Sequence, residues 1–204
     1  MHGTAPRPPS PGPGPAWTLR LLGPPALLGP DAGVVLPLRA KDAALLAVVA
    51  LSSTLKAEQL AAMLWPGSSA RQASASLRQR LFRLRRDTGA TLVSTGALLH
   101  RADDLGTDLA STLARLHDDE HTPCPELLAD LDFDDLPDLS AWLQTERTRW
   151  RGQRAQALAD AAATSEQQGA VARALVYAHR LVENDPLAEH AHRRLMRLHY
   201  LRGD

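Results

Sequence analysis

Between Ala70 and Arg86 the apolar residues Ala70, Ala73, Leu77, Leu81 and Leu84 recur three or four apart, which fixes an amphipathic helix with one buried stripe. Such a helix needs a core to lie on. Its opposite face carries Arg71, Gln72, Ser76, Gln79, Arg83 and Arg86, and six arginines (Arg71, Arg78, Arg80, Arg83, Arg85, Arg86) fall within 16 residues. Only Asp87 lies near enough in sequence to neutralise them. Guanidinium forks suit phosphate oxygens and guanine edges, while Gln and Ser side chains can read base edges in a major groove. The pattern therefore points to a nucleic-acid contact, against a competing reading as a solvated helix face. Arg78 and Arg85 lie nearer the stripe edge and are candidates for packing or an intramolecular salt bridge.

The surroundings of this helix supply the core. Trp17–Gly23 and Val34–Leu38 are short apolar runs punctuated by Gly and Pro, as small strands with tight turns are. Lys41–Leu51 reads as a buried helix, and Glu58–Trp65 as a second that stops at Pro66-Gly67. After the arginine-rich helix, which Gly89 ends, Thr91–Val93 and Ala97–His100 flank Ser94-Thr95-Gly96 as a hairpin. Arg101 at its end is placed to reach a phosphate or a minor groove. The order is strands, three helices, hairpin.

Beyond Arg101 the pattern is helical without strands. Asp108 is expected to cap a short helix ending near Leu116, with a loop over His117–Pro125. Asp138 is expected to cap a long helix carrying Leu139, Trp142, Leu143, Trp150, Leu158 and Ala161, in which Gly152 costs about 1 kcal/mol. Val171–Glu183 and Leu187–Leu201 form two further amphipathic helices around the turn Asn184-Asp185-Pro186. The breaks at Gly169 and Gly203 are 34 residues apart, the period of a tetratricopeptide helix pair. Because such arrays close on a capping helix, the ending on a break reads as the edge of a longer protein. The fold class expected is mainly α with a small β component.

Charge divides at the same place. Of the 204 residues, 1–101 hold 12 Lys and Arg against 4 Asp and Glu, whereas 102–204 hold 11 against 19. A net charge of zero thus conceals a basic half and an acidic half, which suits a nucleic-acid contact beside an interaction module. Residues 1–16, with six Pro and three Gly and no apolar stretch, read as a disordered leader rather than a signal peptide. The longest apolar run, Ala43–Leu51, is nine residues, against roughly 20 for a membrane span. With a single cysteine, Cys124, no internal disulfide forms, and the chain is expected in the cytoplasm, away from membranes. Cys124 has no basic neighbour in sequence to activate it and reads as inert.

Enzyme chemistry finds no support. There is no Walker loop and no Gly-x-Ser-x-Gly elbow. The cluster Asp130, Asp132, Asp134, Asp135 and Asp138 lacks the glycine and closing glutamate of a calcium loop, with Asp135 and Ala141 in their places, so it reads as a solvated loop. His190, His192 and His199 read as ordinary core or surface histidines. The expectation is a non-enzyme with no cofactor and no metal.

Three ordered stretches carry a family resemblance: Leu19-Arg20-Leu21-Leu22-Gly23, Leu60–Pro66, and Leu77–Arg86. They resemble the OmpR-like winged-helix head of the SARP (antibiotic-regulatory-protein) activators. Leu139–Arg147 around Trp142, Asn184–Glu189, and Arg194–Leu198 resemble their bacterial transcriptional activator domain, BTAD. The resemblance covers Trp17–Asp204. It implies a winged helix-turn-helix over 17–101 followed by an all-α, TPR-like helical domain over 102–204. It also implies a sequence-specific DNA-binding transcriptional regulator, of activator type, that binds double-stranded DNA at promoter direct repeats and recruits RNA polymerase, with a homodimer as one assembly.

By the same resemblance Arg71, Gln72, Ser76, Gln79, Arg80, Arg83 and Arg86 are recognition-helix candidates, with Thr95 and Arg101 on the wing. The turn Pro66-Gly67-Ser68-Ser69 corresponds to the loop that can face polymerase, although Gly67 stands where an acidic residue commonly follows Trp-Pro. Lys56 replaces the usual Ser or Thr helix cap, a change that weakens the second helix by about 1 kcal/mol. Two other readings stay open: a TPR-like interaction module whose winged helix is a protein docking surface, and the N-terminal part of a larger signalling regulator.

Overall fold

A computed structural model describes residues 16–31, 33–52 and 54–203; the leader expected over 1–16 lies outside the described residues except for Ala16. The chain is mainly helical with two small sheets. Strands β1 (Trp17–Arg20), β2 (Ala26–Leu28) and β3 (Val35–Pro37) lead into helices α1 (Ala40–Leu51), α2 (Ala57–Leu64) and α3 (Ala70–Thr88). The hairpin β4 (Val93–Thr95) and β5 (Leu99–Arg101) follows, so the order is strands, three helices, hairpin. Strand β6 (Leu105–Thr107) then precedes α4 (Asp108–Asp118), α5 (Pro137–Gln167), α6 (Val171–Asn184) and α7 (Glu189–Arg202).

The four-stranded sheet has the order β3-β2-β1-β6, antiparallel except where β6 runs parallel to β1, with Trp17 opposite Leu105 and Leu19 opposite Thr107. Two of its strands are not among those expected. Ala26–Leu28 follows Pro24-Pro25 and is only three residues long, and β6 contains Gly106 and comes after the hairpin. Neither has local strand character; each is held by pairing with β1. The sheet therefore takes in residues on both sides of the 101/102 division.

Helix α1 is apolar nearly all round, and from Ala43 to Val49 every residue is at most 2% exposed, so it is the central rod of the core. Leu19, Leu21, Leu60, Leu64 and Leu105 are fully buried with it. The same cluster includes Leu139, Leu143 and Trp150 from the first half of α5. The second half of α5 joins Leu116, Tyr177, Leu181 and Ala191 in a second cluster. Gly169 and Gly203 end α5 and the α6–α7 pair in the left-handed conformation, at φ +72° and +86°.

Both expected aspartate caps are replaced. Thr107 occupies the N-cap of α4, and the Asp108 carboxylate instead accepts the N–H groups of Leu21 and Leu22 at 2.9 and 3.1 Å, closing the end of β1. Leu136 is the N-cap of α5, because Pro137 takes the first helical position and leaves Asp138 in the first turn. Lys56 does stand at the N-cap of α2; its ammonium cannot accept a hydrogen bond, but Gln59 Oε1 accepts the Lys56 N–H at 3.0 Å. In the hairpin, Ser94 and Thr95 belong to β4, and the turn falls on Gly96–Leu98.

Candidate nucleic-acid interface

Helix α3 is defined at both ends. Ser69 caps it by accepting the Gln72 N–H at 3.3 Å while Gln72 Oε1 accepts the Ser69 N–H at 3.1 Å. Gly89 closes it at φ +69°. Ala73, Leu77 and Leu84 are buried in the core that α3 shares with α2, Leu81 is half-buried, and Ala70, expected in the stripe, is exposed. Position 70 is the first helical residue, before the helix reaches the core.

The sequence candidates separate into groups. Arg71, Gln79, Arg83 and Arg86 are exposed, and Ser76 is half-buried. Gln72 is exposed, but its carbonyl oxygen is held by the cap. Arg80 is turned inward: its guanidinium donates to Asp42 at 2.5 Å and lies 5.8 Å from the Trp65 ring. Lys41 approaches the same ring at 5.7 Å and donates to the Leu64 carbonyl at 3.1 Å, so two cations flank Trp65 where α1, α2 and α3 meet. The intramolecular role expected of Arg78 and Arg85 thus belongs to Arg80, since Asp42 lies on its side of the helix. Arg78 and Arg85 are exposed.

On the wing, Thr95 is exposed at the end of β4, opposite Leu99. Arg101 ends β5 and donates back to the Leu105 carbonyl of β6. Arg86 pairs with Asp87 at 2.9 Å, but the two side chains are 66% and 51% exposed, and a pair so solvated is easily exchanged for another anion. Arg39, Arg80, Arg83 and Arg86, together with Asp42 and Asp87, line a cleft of about 520 Å³ with Leu27, Leu36 and Leu84, between α3 and the strands β2 and β3.

Sequence reasoning missed Phe82. It is 67% exposed on the outer face of α3, on the same side as the exposed Ala75 and Arg78. The signal was present, because Phe82 lies off the stripe formed by Ala73, Leu77 and Leu84.

Partners distinguish the arginines of the two halves. Among the described residues Arg71, Arg78, Arg83 and Arg85 have no hydrogen-bond or ion-pair partner. Every arginine from Arg115 to Arg197 has one. Arg147 donates to the carbonyls of Leu127, Leu128 and Leu131, and Arg154 to Asn184 at 2.5 Å and the Cys124 carbonyl at 2.8 Å. Arg180 donates to the carbonyls of Glu120 and Thr122 at 2.6 and 2.7 Å. Arg151 pairs with Glu126, Arg173 with Glu120, and both Arg194 and Arg197 with Glu166.

Cys124 does have basic neighbours, contrary to the sequence reading: Arg154 and Arg180 both lower its thiol pKa, but burial outweighs them and pushes it up. The loop acids Asp130, Asp132, Asp134, Asp135 and Asp138 are exposed, and a hydrogen bond and charge from Asp132 hold the Asp134 carboxyl above its ordinary value. No helix among the described residues is long and apolar enough to cross a membrane.

No curated protein matches the chain. Residues 126–204, which span α5, α6 and α7, match the family model of the bacterial transcriptional activator domain.

Proposed function

We propose that the chain is a sequence-specific DNA-binding transcription regulator of activator type. In this reading the outer face of α3 enters the major groove, with Arg71, Arg78, Arg83, Arg85 and Arg86 on phosphates or guanine edges and Gln72, Ser76 and Gln79 beside them. Thr95 and Arg101 on the wing face the neighbouring backbone, and Arg80 acts as a positioning residue through Asp42. The helical half meets RNA polymerase or a second copy of the chain, on promoter direct repeats in the cytoplasm. The observation that carries the reading is the contrast in partners: among the described residues four arginines of α3 have none, whereas every arginine from Arg115 to Arg197 is engaged. The match of residues 126–204 to an activator domain supports the same class and favours no enzymatic role.

Fluorescence anisotropy of the chain with random duplex DNA across a salt series tests it. Five neutralised phosphates give a log-log slope of about −4.5, and Arg83→Ala with Arg86→Ala reduces its size by about 1.8. Arg80→Ala leaves the slope unchanged. Absence of binding at about 50 mM salt, or an unchanged slope in the double variant, overturns the assignment and favours a protein-docking head.

A further inference from the structure

We propose that Phe82 confers a preference for thymine by covering its 5-methyl group; the inference rests on the DNA-binding reading and adds a base to it. Phe82 is the one large apolar side chain of α3 that stands out in solvent, 67% exposed, and it belongs to no core cluster. Its neighbours one turn away on the helix are Arg78, Gln79, Arg85 and Arg86, and on the hairpin side it lines a shallow cleft with Leu92, Val93 and Thr95, so an exposed aromatic ring stands beside three guanidiniums. A surface complementary to this patch must be anionic around the rim and apolar at the centre. The major groove offers that combination, with phosphates on both sides and, on its floor, one apolar group, the methyl of thymine. The arginines run from Arg71 to Arg86, about 22 Å of helix axis, which matches a helix following a groove better than a compact acidic protein patch.

The ring also differs in kind from the other candidates on α3. Arginine, glutamine and serine recognise hydrogen-bonding edges, whereas Phe82 can distinguish bases only by shape and apolar contact. Burying one methyl corresponds to about fourfold in affinity.

The test uses the full chain. Sites are selected from a randomised duplex pool by the wild type and by Phe82→Ala, and each thymine of the selected site is then replaced by deoxyuridine, which removes only the methyl. The expected result is one or two positions where the replacement weakens the wild type about fourfold and leaves Phe82→Ala unaffected, with equal salt slopes and equal thermal midpoints for the two proteins. No sensitive thymine, or a penalty that persists in Phe82→Ala, overturns the role of Phe82 while leaving DNA binding intact. A fall in thermal midpoint would make the ring structural, and salt-insensitive self-association lost in Phe82→Ala would make it a protein contact; either overturns the inference. Failure to bind random duplex at all is read separately, in the salt series, and removes the DNA-binding reading together with this one.

Discussion

Arg147→Ala should destabilise the chain by about 2–4 kcal/mol, because one guanidinium closes the junction between the N-terminal sheet and the helical half. Its Nε donates to Leu127 at 2.9 Å, and one terminal nitrogen donates to Leu128 at 2.7 Å and Leu131 at 3.1 Å. The segment it holds is unusual: Leu128 is fully buried at φ +47°, its N–H donates to the Leu21 carbonyl at 2.8 Å, and Leu127 bridges Leu22. Leu128 O also accepts the Leu131 N–H at 3.0 Å, so truncation strips the carbonyls of Leu127 and Leu131 rather than all three. An unpaired buried acceptor costs about 1–3 kcal/mol, toward the low end for half-buried Leu131. Urea unfolding followed by tryptophan fluorescence measures the loss, with Trp17 and Trp150 in the core as reporters. Arg147→Lys should recover less than half of it, since an ammonium lacks the planar fork that spans several carbonyls. A loss below about 1 kcal/mol, or full rescue by lysine, refutes the argument.

Two further outcomes follow from the helices and the sheet. Burial holds the Asp108 carboxyl above its ordinary value of 3.8, against the lowering effect of the Leu21 and Leu22 N–H groups. The folded chain therefore keeps that proton to higher pH than the unfolded chain, and this group's contribution to stability rises as pH falls through the window just above 3.8. An NMR titration midpoint for Asp108 at or below 3.8 would contradict it. Gly152→Ala and Gly169→Ala should have opposite signs although a Cβ meets nothing within 4 Å at either site: the first lies inside α5 and gains about 1 kcal/mol, the second sits at φ +72° and loses about that much. Thermal denaturation of the two variants decides, and equal shifts would refute the backbone argument.

Where the sequence was legible, the information was local. The spacing of Ala73, Leu77 and Leu84 shows which side of α3 is buried, and Gly89, Gly169 and Gly203 mark helix ends because left-handed backbone favours glycine. Strands β2 and β6 were not legible, because three-residue segments owe their state to β1, and β6 lies more than 80 residues from it in the chain. The same limit applies within the candidate interface. Arg80 and Arg78 are indistinguishable by type, and only Asp42, 38 residues from Arg80, decides which of them is paired. Phe82 differs: its place off the stripe of Ala73, Leu77 and Leu84 is legible in the sequence, whereas aromatic residues are ordinarily buried and its exposure is visible only in the fold.

The two populations of arginine differ in what surrounds them. In the helical half, Arg147, Arg154 and Arg180 lie where the backbone leaves regular structure and satisfy loop carbonyls, those of Glu120, Thr122 and Cys124 after α4 and of Leu127, Leu128 and Leu131 before α5, while Arg149, Arg151, Arg193, Arg194 and Arg197 pair with glutamates. That half can therefore hold many basic residues and still present acid to solvent. Helix α3 satisfies its own interior carbonyls, and Arg71, Arg78, Arg83 and Arg85 have no hydrogen-bond or ion-pair partner among the described residues. Arg83 and Arg86 are three apart on one face, and like charges at that spacing repel by about 0.2–0.5 kcal/mol per pair. Among the described residues the solvated Arg86–Asp87 pair is the one internal relief of that repulsion, and a polyanion laid along the helix would remove the repulsion while replacing that weak pair. On the proposed reading, the exposed arginines of α3, Arg80 excepted, are thus destabilising charges in the free protein and binding charges in the complex, which makes DNA a stabilising ligand of the head through the same residues that set its salt dependence.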